Sequence, residues 1–433
     1  MAKTISIGLI GCGTVGSGVL ELLKENGAEI EKKTGIKISV KKVVVRDRHK
    51  KRNADVDKGL LTENVDEVLE DNEIDMVVEL IGGYEPAKTI TLRALKNGKY
   101  VVSANKALYA RFGSELFEEA RKCNSDIYIE AAVAGAIPIV LPMSLSLCAN
   151  RITSIHAILN GTCNFILTKM MEEGLSYETA LKQAQEKGFA EADPALDVNG
   201  TDTMHKLVIL ASIAFGTALK ESDVFVEGIT GISKEDMAYA EELGYVIRLL
   251  GIAKLEKGKL ELRVHPTMVP KLEPLASVRN EFNAVMVNGN FSDRLLFQGR
   301  GAGSRPTASA VVADIINVAQ DKFSGAKYDT ELIKIGSSRT VEMRDIKDAE
   351  CYYYLMAHLE GKAGVLTRVS EVFGKHGVSI QVVIQKEQPE AKRFVPVVLL
   401  THKTREGLIR KVVKEVDALS ITDGKTKLIR IEK

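Results

Sequence analysis

The segment Gly11-Cys12-Gly13-Thr14-Val15-Gly16 restricts the fold more than any other in this chain, because of what flanks it. The apolar stretch Thr4–Ile10 precedes it, and a helical periodicity from Val15 to about Asn26 follows. Glycines at this spacing permit a tight strand-to-helix turn. They also let the backbone approach a phosphate and turn a helix N-terminus toward the anion. A Gly-rich turn alone occurs in unrelated α/β chains, so the context carries the reading. Further strands are expected at Ile38–Val45, Asp75–Ile81, Tyr100–Ser103 and Ile127–Ala132, with one helix opening at Pro86 and another over Glu115–Cys123. Strands alternating with helices predict a parallel, doubly wound, Rossmann-like sheet. Gly11, Gly13 and Gly16 then become the cradle of a dinucleotide.

The end of the second expected strand bears on which dinucleotide. It leads into Arg46-Asp47-Arg48-His49-Lys50-Lys51-Arg52. An acid at this place meets the adenosine ribose of NAD, whereas an arginine accommodates the 2′-phosphate of NADP. Arg46 follows Val45 directly, so NADP is the preferred cofactor and NAD the alternative. Lys51 and Arg52 read as a solvated loop.

From about residue 151 the pattern changes. A strand at Ile152–Leu159 is followed by helices at 161–173, 176–187, 201–215 and 234–243. Strands at Val246–Leu255, Leu260–Thr267, Ala284–Val287 and Arg294–Phe297 predict an α+β domain with an open antiparallel sheet, and a helix at 306–322 returns to the first domain. Residues 323–349 are polar and weakly periodic, and read as a linker. The last 84 residues follow the order βαββαβ, which is ferredoxin-like.

Lys+Arg (59) and Asp+Glu (58) nearly balance, so nothing in the charge asks for nucleic acid or an anionic membrane. The five cysteines are scattered without zinc-site spacing, which suits a reducing compartment. The N-terminus reads as a strand rather than a signal peptide, and no apolar run reaches the roughly 18–20 residues a membrane span needs. A cytoplasmic protein is expected.

Chemistry concentrates in Glu191-Ala-Asp-Pro and Asn199-Gly-Thr-Asp202-Thr-Met-His-Lys206. Asp202 and Lys206 are four apart on an expected helix and share a face. Lys106, in Ser103-Ala-Asn-Lys106, follows the C-terminal end of a parallel strand, where ligands of open α/β sheets sit. Glu130-Ala-Ala-Val133-Ala-Gly135-Ala-Ile137-Pro138 allows two readings, a monovalent-cation site of carbonyls plus one acid or tight strand-to-helix packing. Cys163 has no histidine in a recognisable partner motif and reads as buried and neutral. The histidines show no metal-ligand spacing.

These residues together resemble homoserine dehydrogenase. The resemblance rests on Gly11–Gly16, Ser103–Lys106, Glu130–Gly135, Asn160-Gly-Thr-x-Asn-Phe-Ile-Leu, Gly188–Pro194, Asp197–Asp202 and Gly299-Arg-Gly-Ala-Gly303-Ser-x-Pro-Thr, over residues 5–320 or so. The C-terminal part resembles an ACT domain. What this implies is a nucleotide-binding domain over 1–135, a catalytic and dimerisation domain over 136–322, the linker, and an ACT regulatory domain over 350–433. It also implies the NAD(P)-dependent interconversion of L-homoserine and L-aspartate 4-semialdehyde, within threonine, methionine and isoleucine biosynthesis. By matching motifs, Lys206 is the general acid/base, Lys106 lies beside nicotinamide and substrate, Asp202 positions substrate or Lys206, and Glu191 binds the substrate's amino group. Thr14, Val15 and Gly303 join the cofactor site. Glu130, with the carbonyls of Val133, Gly135 and Ile137, matches the family's sodium site. Threonine is the implied effector, and a homodimer or homotetramer the implied assembly.

Two positions depart from the family's pattern: Arg300 replaces a common proline, and Arg305 adds a second charge near the cofactor loop. The competing class is a non-catalytic Rossmann–ACT sensor of NADP(H) or an amino acid. Intact Lys106, Glu191, Asp202 and Lys206 argue against it. Because every catalytic motif precedes residue 320, a chain lacking residues from about 350 onward is expected to fold and turn over.

Overall fold

The computed structural model describes residues 3–52, 55–324, 340–386 and 393–433. In chain order the elements begin with β1 (Lys3–Ile10), α1 (Thr14–Thr34), β2 (Ile36–Val44), β3 (Leu61–Thr62), α2 (Asp66–Leu69), β4 (Met76–Glu79), α3 (Ala87–Lys96), β5 (Tyr100–Ser103), α4 (Lys106–Lys122), β6 (Ile127–Tyr128) and β7 (Ile152–Ile158). Then come α5 (Gly161–Glu172), α6 (Tyr177–Glu186), α7 (Ala195–Val198), α8 (Thr201–Phe215), β8 (Phe225–Val226), α9 (Lys234–Glu242), β9 (Tyr245–Glu256), β10 (Lys259–Pro270), β11 (Phe282–Gly289), β12 (Asp293–Arg300) and α10 (Ser304–Ser324). The chain closes with β13 (Glu342–Met343), β14 (Glu350–Glu360), α11 (Val365–Lys375), β15 (Ile380–Gln385), β16 (Phe394–Thr401), β17 (Thr404–Arg405), α12 (Glu406–Asp417) and β18 (Thr422–Ile431).

By contact the chain forms two compact units. One takes Met1–Gly161, Thr201–Val224 and Glu281–Val341; the other takes Thr162–Gly200, Phe225–Asn280 and Glu342–Lys433. The division is not sequential. Each unit collects pieces from both sides of the other in the chain, which no linear reading of composition displays.

The first unit carries a six-stranded sheet in the order β3-β2-β1-β4-β5-β6, all parallel. This is the doubly wound order in which the chain reverses direction next to β1, opening a crevice at the strands' carboxyl ends. Ile5, Ile7 and Leu9 of β1 are fully buried, each contributing about 1.5–3 kcal/mol of apolar burial. The same core takes in Ala308, Val311 and Ile315 of α10, so this late helix covers the first sheet. The unit also holds the antiparallel run β12-β11-β7.

Several elements differ from expectation. α1 runs to Thr34 because the break comes only at Gly35, in the left-handed region, rather than at Gly27. α4 starts at Lys106, nine residues before the expected Glu115, because the Asn105 side chain accepts the Leu108 N–H as an N-cap. Past Tyr128 the expected strand becomes a 3₁₀ turn over Glu130–Ala132.

In the second unit the strands run β9-β10-β18-β14-β16-β15. The C-terminal four have the ferredoxin-like order, antiparallel throughout, with their own core of Tyr353, Leu355, Val369, Phe373, Leu399, Ile409 and neighbours. The expected open antiparallel sheet is in fact mixed, since β8, β13 and β18 all pair with β10 in parallel. Within the stretch read as a linker, residues 325–339 lie outside the described residues. At its ends, α10 extends to Ser324, and β13 lies along β10 with Arg344 paired to Glu256 at 2.8 Å.

The C-terminal segment is fastened to β10 by charge as well as by strand pairing. Arg263 of β10, fully buried, donates to Glu261 at 2.6 Å, to the Cys351 sulfur at 3.2 Å, and to Glu432. Burial pushes the Cys351 thiol up to about 11 despite the neighbouring guanidinium, so it stays a neutral acceptor. Tyr354 of β14 reaches Asp236 in the first turn of α9 at 3.4 Å. A chain ending at residue 349 takes Glu432 and Cys351 from Arg263 and strips β18 from β10, so a buried strand meets water unpaired. Residues 1–349 expressed alone are therefore expected to be poorly soluble and to unfold at lower temperature than the full chain. Soluble yield and a thermal melt check this, and an equal melting temperature would refute it.

Candidate active site

The first unit brings three of its polar side chains onto one buried carboxylate. Asp202 lies in the first turn of α8, only 5% exposed. One oxygen, Oδ2, accepts the Lys206 ammonium at 2.8 Å and the Asn160 side-chain N–H at 2.8 Å. The other, Oδ1, faces the Lys106 ammonium at 2.5 Å. Lys206 follows Asp202 by four residues on the helix, is 7% exposed, and also donates to the Leu159 carbonyl at 2.6 Å. Lys106 comes from the start of α4 and is less buried, 43% exposed in its side chain.

Burial by itself would raise the Asp202 carboxyl's pKa. The Lys206 and Lys106 ammonium groups outweigh that and hold it well below the ordinary carboxylate range. Two positive charges and one negative leave the cluster net positive, in a place largely closed to water. Such a cluster attracts a group that gains negative charge and holds two N–H donors ready for it.

The supporting contacts were not singled out from the sequence. Glu79, fully buried at the end of β4, accepts the backbone N–H of Ile81 at 2.9 Å and the Ser103 hydroxyl at 2.7 Å. Ser103 in turn accepts the Asn105 N–H at 3.1 Å, and the Asn105 amide donates to the Gly83 carbonyl at 2.7 Å. The ends of β4 and β5 are thus tied together just where Lys106 begins. Asn283 of β11 donates to the Leu159 carbonyl at 2.9 Å, the same oxygen that Lys206 uses. Asn105 and Asn160 stand inside the Ser103–Lys106 and Asn160-Gly-Thr motifs, but Glu79 and Asn283 carry no local signal. His205 turns away from the cluster to Glu221, at 3.0 Å, and burial lowers its pKa.

At the glycine loop, Gly11 has φ 103° and Gly16 packs so tightly that a Cβ would lie 2.2 Å from the Gly11 carbonyl oxygen. Above Gly13, by contrast, a Cβ would meet nothing within 4 Å. Thr14 and Val15 begin α1, whose first N–H groups have no intrahelical acceptor. An open glycine at a helix N-terminus is what a pyrophosphate requires. The Ser304 hydroxyl donates to the Thr14 carbonyl at 2.8 Å, which fixes Gly303, with φ 118°, close to the loop.

Arg46 is exposed beyond the end of β2 and, among the described residues, makes no ion pair. Its neighbour Asp47 accepts the His49 N–H at 2.7 Å, and Arg52 donates to the loop's own carbonyls, including Lys50 at 2.7 Å. Arg300 pairs with Glu281 at 3.2 Å, and Arg305 with Glu21 of α1 at 2.5 Å. Both departures from the family pattern are therefore neutralised locally.

Glu130 is buried, and its carboxylate accepts the N–H groups of Ile139 at 2.6 Å, Val140 at 2.8 Å and Leu141 at 2.8 Å. Burial raises its pKa, and those three N–H groups work against the rise. A carboxylate offers about four acceptor positions, so one remains. Ala134 and Gly135 both take left-handed backbone, φ 56° and 57°, and the Ala134 carbonyl accepts the Ile137 N–H at 3.1 Å.

Glu191 belongs to the second unit, on an exposed turn before α7, and is not among the residues gathered on Asp202. Its main-chain carbonyl accepts the Gln185 amide at 3.2 Å. Cys163 is buried and donates to the Asp197 carbonyl at 3.2 Å, so it offers no nucleophile. No disulfide joins any of the five cysteines. Among the described residues, no helix is long and apolar enough to cross a membrane.

Residues 11–130 match the family model "Homoserine dehydrogenase, NAD binding domain", and residues 138–316 match "Homoserine dehydrogenase". The homoserine dehydrogenase of Bacillus subtilis (strain 168) is 39% identical over 430 residues, 99% of each chain. The crystal structure of a homoserine dehydrogenase from Thiobacillus denitrificans is 40% identical, with a TM-score of 0.92, and covers 100% of this chain and 99% of its own. A hyperthermophilic archaeal homoserine dehydrogenase in complex with NADPH is 26% identical, with a TM-score of 0.62; it covers 73% of this chain but 98% of its own. The archaeal protein is thus a shorter chain, with no counterpart to about a quarter of this one.

Proposed function

This chain belongs to the homoserine dehydrogenase family, and from that premise we propose how its own residues work. The reaction is the NAD(P)-dependent interconversion of L-homoserine and L-aspartate 4-semialdehyde. The observation that carries the mechanism is the buried Asp202 with Lys106 and Lys206 on its two oxygens.

The nicotinamide cofactor supplies or takes up the hydride. The rest falls to the chain. In the reductive direction the Lys206 ammonium donates a proton to the aldehyde oxygen, and in the oxidative direction its amine takes the proton from the homoserine hydroxyl. Lys106 adds a second positive charge for the developing alkoxide. Asp202 holds both lysines by their Nζ atoms and keeps Lys206 from turning away. Glu191 takes the substrate's ammonium group, for which a carboxylate is the natural partner. Gly11, Gly13, Thr14, Val15, Gly16 and Gly303 receive the cofactor.

NADP is the preferred cofactor in this proposal. Arg46 is the cation standing at the end of β2, and Asp47 is engaged in its own turn. The carbonyls of Val133, Gly135 and Ile137, with the one remaining acceptor position of Glu130, would hold a sodium ion, which would brace the loop without joining the chemistry. Residues 350–433 are assigned as an ACT regulatory segment. The turn Gly361–Gly364 before α11 is the place for the carboxylate of an amino-acid effector, threonine by resemblance, and the chain is expected to assemble as a homodimer or homotetramer.

Lys206→Ala is expected to reduce turnover at least about 100-fold, the lower range for loss of a general acid, while NADPH binding stays near that of the parent. NADPH oxidation with aspartate semialdehyde and NADPH fluorescence titration measure the two parts. Turnover within a few-fold of the parent would remove Lys206 from the proposed role.

Arg46→Ala is expected to raise the KM for NADPH by about ten-fold or more, as for a lost charge-assisted hydrogen bond, with the KM for NADH little changed. Equal changes for both cofactors would show that Arg46 does not read the 2′-phosphate.

A further inference from the structure

Glu227 stands where three pieces of the second unit meet, and we infer that it is a positioning residue for the turn that carries Glu191. The inference rests on the proposed role of Glu191 in holding the substrate's ammonium group.

Two arginines of the C-terminal segment converge on the Glu227 carboxylate. Arg430 of β18 donates to Oε2 at 2.6 Å, and Arg410 of α12 donates to Oε1 at 2.5 Å. Both arginines are also gripped by the buried Glu406. Arg430 reaches it at 2.6 and 2.9 Å, and Arg410 at 2.8 Å. Two acids and two bases thus form a closed, charge-balanced cluster, with Arg430 almost wholly buried. In such a network each member's place depends on the others.

The main chain passes this placement on. The Glu227 N–H donates to the Val264 carbonyl of β10 at 2.7 Å. The next residue, Gly228, lies against α7 so closely that a Cβ would sit 2.3 Å from the Val198 carbonyl oxygen and 2.6 Å from the Asn199 Cα. Ile229, fully buried, then donates its N–H to the same Val198 carbonyl at 2.8 Å. At the far end of the turn Gly200 leaves only 3.0 Å between its Cβ position and the Val226 side chain.

The contacts of Gly228 and Ile229 are backbone on backbone, with no flexible side chain to absorb a shift. The turn they hold begins at Glu191, passes through Pro194 and α7, and runs by peptide bonds through Gly200 into Thr201 and Asp202. The exposed Glu191 side chain therefore projects from a backbone whose position is set, through Glu227, by Arg410 and Arg430.

The test uses the full-length chain carrying Glu227→Gln, with Arg410→Gln and Glu191→Gln alongside. Glutamine keeps the shape of residue 227 and removes its charge. Glu227→Gln is expected to raise the KM for homoserine by about three-fold or more, the scale on which residues coupled to a site act, with the KM for NADP⁺ unmoved and kcat within about two-fold. Arg410→Gln, at a half-exposed position, is expected to act in the same direction. Because it also probes the cluster, it carries the test should Glu227→Gln fail to fold. The double variant should lose less than the sum of the two, since they break one network.

A lowered melting temperature with all kinetic constants unchanged would reduce Glu227 to a structural residue and overturn the inference. A rise in the KM of both substrates together would overturn it too. If Glu191→Gln leaves the homoserine KM unchanged, the premise about Glu191 fails and the inference falls with it. If Glu191→Gln raises that KM and neither cluster variant does, only the inference fails.

Discussion

A single buried carboxylate, Asp202, organises the proposed active site, with Lys206 and Lys106 on its two oxygens. Two lysines from different helices, Lys206 buried and Lys106 half-exposed, would repel one another, and the aspartate between them makes their approach possible. Its own ionisation depends on them in return. Burial would neutralise it, and only the paired ammonium groups keep it charged. Each group is therefore in place on account of the others, and a change to any one of the three leaves a buried charge short of a partner.

The supports around this cluster come from distant parts of the chain. Glu79 and Ser103 fasten the ends of two neighbouring parallel strands where Lys106 emerges. Asn283 holds the Leu159 carbonyl on which Lys206 also leans. The doubly wound sheet explains the first of these. Adjacent parallel strands end side by side, so residues 24 apart in sequence, such as Glu79 and Ser103, meet through one hydrogen bond.

The sequence made the glycine loop, the strand–helix alternation and the spacing of Asp202 and Lys206 readable, because each is a local pattern. Periodicity and turn chemistry act within a few residues, and so can be read there. Glu79 and Asn283 could not be found in this way. An acid ending an apolar strand and an asparagine in another strand have no local mark, and their partners lie far along the chain. The same limit explains the second unit. The βαββαβ order of residues 350–433 was legible, but the pairing of β18 with β10 and the burial of Arg263 against Glu432 depend on segments separated by more than 150 residues. The polar stretch before residue 350 looked like a boundary, yet β13 and Arg344 bind it to β10 and β9.

In the proposed mechanism the Asp202 charge is what allows Lys206 and Lys106 to stay protonated side by side. The pH profile of reductive turnover in an Asp202→Asn variant tests it most directly. Asparagine keeps the shape and leaves the two ammonium groups without their shared counter-ion, so like-charge repulsion makes one of them lose its proton at lower pH. The alkaline fall in activity is expected to move to lower pH than in the parent enzyme, along with a loss of rate. An alkaline limb at the parent's position, with turnover near the parent's, would contradict it.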